Sequence, residues 1–144
     1  MKYYRKTSHS RFDLKVHIVF CPKYRKNILT GVLGQWLKEA IREICRQNEI
    51  EILGGKIASD HIHLFVSYPP NLSVSQLVQQ IKGKTSFKIF QEFQYLRKIF
   101  WGRHFWARGY MAVSSGNITD EVILNYLKLQ EGEPIQETDL LLEA

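Results

Sequence analysis

Residues 60–66 read Asp60-His61-Ile62-His63-Leu64-Phe65-Val66. The stretch predicts a β-strand, and a strand sends alternate side chains to opposite faces, so His61 and His63 point the same way. Same-face neighbours sit roughly 6.5–7 Å apart along a strand. Two imidazoles converging from that distance can share one metal ion at about 2.1 Å each. A His-x-His pair is common by chance, and the bland alternative is one core histidine beside one surface histidine. Spelling removes three familiar chemistries. A histidine-triad hydrolase needs a third histidine where Phe65 stands. A two-histidine phosphoesterase needs His-x-Thr or His-x-Ser twice, and a metalloprotease needs HExxH; neither pattern occurs. What remains is a two-histidine metal site that takes a third ligand from elsewhere and keeps positions open for water or substrate oxygens.

Working outward, residues 13–21, DLKVHIVFC, alternate as a first strand. A basic loop, KYRKNILTG, follows. GQWLKEAIREICRQNE spaces Trp36, Leu37, Ala40, Ile41 and Ile44 as an amphipathic helix. Residues 50–58 form a second strand, whose paired glycines Gly54 and Gly55 predict a bulge or a close backbone approach. Pro69-Pro70 ends the histidine strand. Ser73 opens a second helix that runs through KTSFKIFQEF. Residues 105–114, FWARGYMAVS, read as a fourth strand. Asn117, Thr119 or Asp120 caps a last helix, DEVILNYLKLQE, which ends at Gly132 and Pro134. The order βαββαβ predicts an α+β ferredoxin-like sandwich: a four-stranded antiparallel sheet with helices on one face, plus a C-terminal helix. The domain is expected over 1–131, with an acidic tail over 132–144.

The 144 residues suit one domain. The formal charge is +6, but residues 131–144 hold five acids and no Lys or Arg. The rest holds 20 bases against 9 acids, a net of +11. A body that basic points to a polyanion such as nucleic acid. Cys21 and Cys45 match no CxxC pattern, and no signal peptide or apolar run of membrane-span length is present, so a reduced, cytoplasmic protein with no membrane partner is expected.

Tyr126 and Gln130 lie four apart on the last helix and so share a face. A tyrosine hydroxyl can attack phosphorus, and an amide oxygen can complete a metal shell. Val122, Ile123 and Leu127 around Tyr126 equally allow a plain buried aromatic.

Taken together, CPKYRKNIL, GGKIASDHIHLFV, PPNLSVSQLVQQIKGKTS, FWARGY and ITDEVILNYLKLQ are similar, in order and spacing, to the single-tyrosine HUH transposases of small hairpin-ended insertion sequences, the IS200-like family. His61-Ile62-His63 matches the His-hydrophobic-His motif that names them. The resemblance implies that His61, His63 and Gln130 are metal ligands for Mg²⁺ or Mn²⁺ and that Tyr126 is the nucleophile. It implies cleavage and rejoining of single-stranded DNA with hairpin ends through a 5′-phosphotyrosine, in a homodimer whose active sites are shared between subunits. It also implies a cytoplasmic protein, held at the nucleoid when bound to DNA.

Three basic clusters are candidate DNA contacts: Arg5, Lys6 and Arg11; Lys23, Tyr24, Arg25 and Lys26; and Lys82, Lys84 and Lys88. Arg108 joins them by its place in FWARGY. Tyr24, Phe87 and Trp106 are candidates for stacking on unpaired bases. His17 and His104 read as structural or surface groups, and His9 as neither. The rival functions are a domesticated hairpin-binding protein that has lost cleavage, an HUH nicking endonuclease acting on genomic palindromes, and an RNA-binding module of the same fold.

Overall fold

The computed structural model describes residues 5–6, 10–100, 104–114, 120–129 and 139–141. A short ribbon, β1 (Arg5–Lys6) with β2 (Arg11–Phe12), precedes the main sheet. The main chain order is then β3 (Lys15–Phe20), α1 (Gly31–Gln47), β4 (Glu51–Ala58), β5 (Ile62–Ser67), α2 (Val74–Glu92), β6 (Met111–Val113), α3 (Asp120–Lys128) and β7 (Asp139–Leu141). The sheet is antiparallel throughout, in the order β6-β3-β5-β4-β7. Its first four strands have the ferredoxin-like arrangement that the sequence predicts.

The faces follow from the period of two. Ile18 and Phe20 on β3, with Ile62, Leu64 and Val66 on β5, are fully or almost fully buried in one core. Leu33, Leu37, Ile41 and Ile44 of α1 and Leu77, Val78 and Ile81 of α2 close that core from above. A second, smaller cluster lies on the opposite face. There Val19 and Cys21 meet Ile123 and Leu127 of α3, with Ala107, Met111 and Tyr126 packed around them. Helices α1 and α2 therefore share one face, and α3 takes the other.

Local chemistry explains several boundaries. Ser73 accepts from the Gln76 backbone N–H at 3.1 Å, and the Gln76 side chain accepts from the Ser73 N–H at 2.9 Å, a complete capping box. The two glycines do both things expected of them. The β4–β5 register shifts between Ile52 and Gly54, a bulge. Gly55 then takes φ +145°, and a Cβ there would lie 2.3 Å from the His63 carbonyl oxygen.

One expectation needs correction. The fourth strand spans only Met111–Val113 instead of 105–114. The indole Nε1 of Trp106 donates to Thr85 Oγ1 at 2.9 Å, and Lys82 Nζ donates to the Ala107 and Gly109 carbonyls at 2.9 and 2.8 Å. Those bonds tie this segment to α2 before it can join the ladder, leaving one isolated bridge from Trp106 to Pro22. The segment expected as an acidic tail supplies β7, which pairs Lys56 with Leu141 and Ala58 with Asp139. The capping residues Asn117 and Thr119, and Gln130, lie outside the described residues.

Gly55→Ala should cost about 2–4 kcal/mol, because the new methyl meets backbone that cannot yield. That corresponds to a Tm lower by roughly 10 °C. Gly54→Ala, with open space around the added carbon, is the control and should melt near the parent. Equal melting temperatures for the two variants would show that the close approach at Gly55 is not a constraint.

Candidate metal and nucleophile site

His61 stands immediately before β5 and His63 within it, opposite Val19 of β3. His61 is 5% exposed. Its Nδ1 lies 2.8 Å from Asp60 Oδ1. An ionised carboxylate only accepts, so Nδ1 carries the proton and Nε2 is left with its lone pair. That Nε2 is buried and has no hydrogen-bond partner among the described residues. A buried imidazole nitrogen without a partner, whose ring is oriented by a carboxylate through the other nitrogen, is the arrangement of a metal-ligating histidine and its supporting acid.

His63 is placed differently. Its Nε2 lies 3.1 Å from His17 Nδ1, and the two rings are 5.3 Å apart. His17 is itself stacked on Phe65, at 4.1 Å between ring centres and 12° between planes. His17 was expected to be structural or superficial; the structure makes it a direct partner of His63. Finding it from sequence needs the β3–β5 register, which sets His17 opposite Phe65 and so diagonal to His63.

Among the described residues no group of three or more His, Cys, Asp and Glu gathers as a metal cage. The available donors are two imidazoles on one sheet face. They fit a divalent cation that draws its remaining ligands from an amide, water or substrate, with His63 Nε2 exchanging its bond to His17. Both Mg²⁺ and Mn²⁺ favour oxygen ligands, and of the two the transition ion Mn²⁺ accepts imidazole more readily.

Tyr126 comes to this face on α3. It packs against the cluster of Val19, Cys21, Ile123 and Leu127, on the same side of the sheet as the residue opposite His63. Burial pushes its hydroxyl up to about 12, with the adjoining Cys21 adding to the rise. Folding therefore favours the protonated phenol. That contribution is complete below about pH 10 and is lost as pH rises through about 12. The Cys21 thiol beneath it is pushed up to about 11, first by burial and then by the Asp60 charge. Cys45, in the main core, reaches about 12 through burial alone.

The candidate DNA contacts divide. Tyr24 is 46% exposed, with Lys23 Nζ 5.3 Å above its ring. Arg11, Lys84, Lys88 and Arg108 are exposed, while Lys23 and Lys26 are partly so. Arg5 and Lys6 form β1 against Arg11 and Phe12. Arg25 departs from expectation. It is buried, its Nη1 donates to the Leu127 carbonyl at 2.7 Å, and its Nε lies 3.2 Å from Asp60 Oδ2. A guanidinium committed to those partners is not a surface phosphate contact. Lys82 is also committed, to the two carbonyls already named, and burial holds its ammonium below the ordinary lysine value. Trp106 is buried and cannot stack on a base, whereas Phe87 is 67% exposed. Phe87 borders an open cavity of about 540 Å³ that Lys82, Ser86, Arg97, His104 and Arg108 also line.

Comparison with known proteins is consistent with this geometry. Residues 10–130 match the family model described as "Transposase IS200 like". The chain is 35% identical over 123 residues to the transposase for insertion sequence element IS200 of Salmonella typhimurium, covering 85% of this chain and 80% of that one. It is 29% identical over 119 residues to the ISDra2 transposase TnpA of Deinococcus radiodurans, covering 83% and 85%. A crystal structure described as a putative transposase from Deinococcus radiodurans superposes with a TM-score of 0.82 at 25% identity, covering 90% of this chain and 99% of that one. A REP-associated tyrosine transposase solved with a REP hairpin shares the fold, with a TM-score of 0.51 at 19% identity and coverage of 90% and 74%.

Because α3 covers Cys21 and the core covers Cys45, neither thiol should react with DTNB in native protein at pH 8 over minutes. Both should react at once in guanidinium. One rapid equivalent from the native protein would mean that α3 does not cover this face.

Proposed function

The chain belongs to the IS200-like transposase family, and from that premise we propose that it cuts and rejoins single-stranded DNA at hairpin-flanked ends by transesterification. The observation that carries the proposal is that His61, whose buried Nε2 has no partner among the described residues, stands at the start of β5 in the sheet whose face away from α1 and α2 carries the helix of Tyr126. A general nucleic-acid binder has no use for an oriented, unpartnered imidazole on such a sheet.

In this scheme the Tyr126 hydroxyl attacks a DNA phosphodiester and displaces one deoxyribose oxygen. Family resemblance assigns the polarity, a 5′-phosphotyrosine with a free 3′-OH. The phosphotyrosine conserves the energy of the phosphodiester, so a DNA hydroxyl can attack it, release Tyr126 and reseal a strand without ATP. His61 and His63 would hold a divalent cation, Mg²⁺ or Mn²⁺, with Gln130 as third ligand, and the cation would supply charge stabilisation at the phosphate. Asp60 fixes the His61 ring. The cost of deprotonating a half-buried phenol whose pKa is near 12 explains why the site needs that help.

Single-stranded DNA would cross the exposed cations Lys84, Lys88 and Arg108 and the partly exposed Lys23 and Lys26, with Tyr24 and Phe87 presenting open ring faces for bases. A hairpin partner is supported by family membership; the REP-hairpin complex is a property of that other protein. A homodimer with shared sites belongs to the same proposal. The short edge strand β6 leaves unpaired backbone to which a second sheet can add. In the single chain, α3 lies over its own sheet.

The test is a cleavage assay on single-stranded DNA from the element's flanks with Mg²⁺ or Mn²⁺, resolved on a denaturing gel. Wild type should give a covalent protein–DNA band. Tyr126→Phe should give none, and His61→Ala should lower it by roughly 100-fold. Hairpin binding without an adduct in any metal would replace the transposase with the domesticated binding protein. An adduct that forms but never transfers to a second DNA end would favour the nicking endonuclease acting on genomic palindromes.

A further inference from the structure

One buried charge is linked to both halves of the proposed site. Arg25 is only 8% exposed. It reaches its position through a turn in which Tyr24 and Arg25 both adopt positive φ, 64° and 45°. Side chains with a Cβ enter that region at a cost, and such strain persists only where surrounding contacts hold it. Here the contacts are specific. Nη1 donates to the carbonyl of Leu127, the residue after Tyr126 near the C-terminus of α3, where a helix favours a cation. Nε lies 3.2 Å from Asp60 Oδ2. Asp60 is fully buried, and its other oxygen holds His61 Nδ1 at 2.8 Å. An unbroken run of contacts thus passes from Leu127 through Arg25 and Asp60 to His61.

We propose that Arg25 and Asp60 are positioning residues that seat the tyrosine helix and orient the His61 ring as one coupled unit. The guanidinium is suited to this because one nitrogen donates to the helix carbonyl while the same rigid, permanently charged plane lies against the carboxylate as an ion pair. A lysine offers a point charge that cannot hold a carbonyl and a carboxylate on opposite sides. The functional meaning of the unit rests on the transposase proposal, since that assigns the roles of Tyr126 and His61. The coupling itself is a property of the fold and can be read without DNA.

Cys21 is the reporter. It lies under Ile123, Leu127 and Tyr126, so its modification reads release of α3, while Cys45 in the main core reports loss of the whole fold. The full chain would be compared with Arg25→Lys and Asp60→Asn. The first readout is DTNB modification of metal-free protein, and the second is Mn²⁺ affinity by electron paramagnetic resonance. Both variants should speed modification of Cys21 by roughly tenfold or more, because protection is set by the free energy of local opening, with Cys45 still silent. Both should also weaken Mn²⁺ binding by about 10–100-fold, the range for loss of support behind a ligand. The decisive result is Arg25→Lys, which reaches His61 through Asp60 and should still weaken Mn²⁺. Wild-type Cys21 protection and wild-type Mn²⁺ affinity in both variants would overturn the coupling, as would a wild-type chain that binds no Mn²⁺. Should Arg25→Lys also expose Cys45, Asp60→Asn decides through amide hydrogen exchange of α3, a readout that the loss of the Asp60 charge beside the Cys21 thiol does not alter. A wild type that forms no DNA adduct while Arg25 still protects Cys21 and tunes Mn²⁺ would end the transposase proposal and leave the coupled unit standing.

Discussion

Everything in this chain depends on the antiparallel pairing of β3 with β5. Register sets Val19 against His63 and Phe20 against Ile62. Because strand side chains alternate, that one register sends Ile18, Phe20, Ile62 and Leu64 into the core under α1 and α2. It leaves Val19, Cys21 and the histidines on the other side. A slip by one residue would exchange the two sets, burying imidazoles under α1 and α2 and exposing the core. The hydrophobic effect therefore places the chemistry indirectly: burial of the aliphatic face holds the histidine face where it is. Gly55 reinforces the same register from β4, since its bare Cα allows the strand to approach the His63 carbonyl closely.

The polar side is held by a different force. Asp60 is fully buried, and a carboxylate out of water is expensive unless it is paired and hydrogen-bonded. His61 is hydrogen-bonded to one of its oxygens, and the Arg25 charge lies 3.2 Å from the other as an ion pair. Removing one member of such a buried pair typically costs about 3–5 kcal/mol, while replacing the whole pair by apolar groups can be neutral. Stability alone is thus a weak reason for a chain to keep it. Orientation is a better one, because the pair fixes a ring tautomer that no aliphatic substitute could fix.

Much of this was legible in the sequence, for identifiable reasons. Helix α2 announces itself through Ser73 and Gln76, whose capping chemistry is purely local. The glycine pair of β4 signals its bulge, and Pro69-Pro70 marks the end of β5, by the same kind of local rule. Arg25 was not legible: in KYRK it is spelled like its neighbours, and only the positive φ of Tyr24 and Arg25 turns it inward. No propensity predicts left-handed tyrosine and arginine in succession. His17 requires the register, and the fourth strand is shorter than its sequence pattern because Lys82 takes the Ala107 and Gly109 carbonyls from the ladder. Local signals were read well; contacts made across dozens of residues were not.

The site is also divided in its stability. The histidines stand on a sheet buried from one side by two long helices. Tyr126 stands on a helix of nine residues, a length at which isolated helices are marginal in water. Its seat consists of two buried aliphatic side chains, a few half-buried neighbours and the Arg25 bond to Leu127. Seating and helix formation must then be largely one event, since the helix has little reason to persist without its contacts. The direction of the Tyr126 hydroxyl is consequently defined only while α3 is docked, so the proposed nucleophile depends on a short helix and its few contacts. A buried arginine bound at once to that helix and to the acid behind His61 makes the docked state of one half depend on the ordered state of the other.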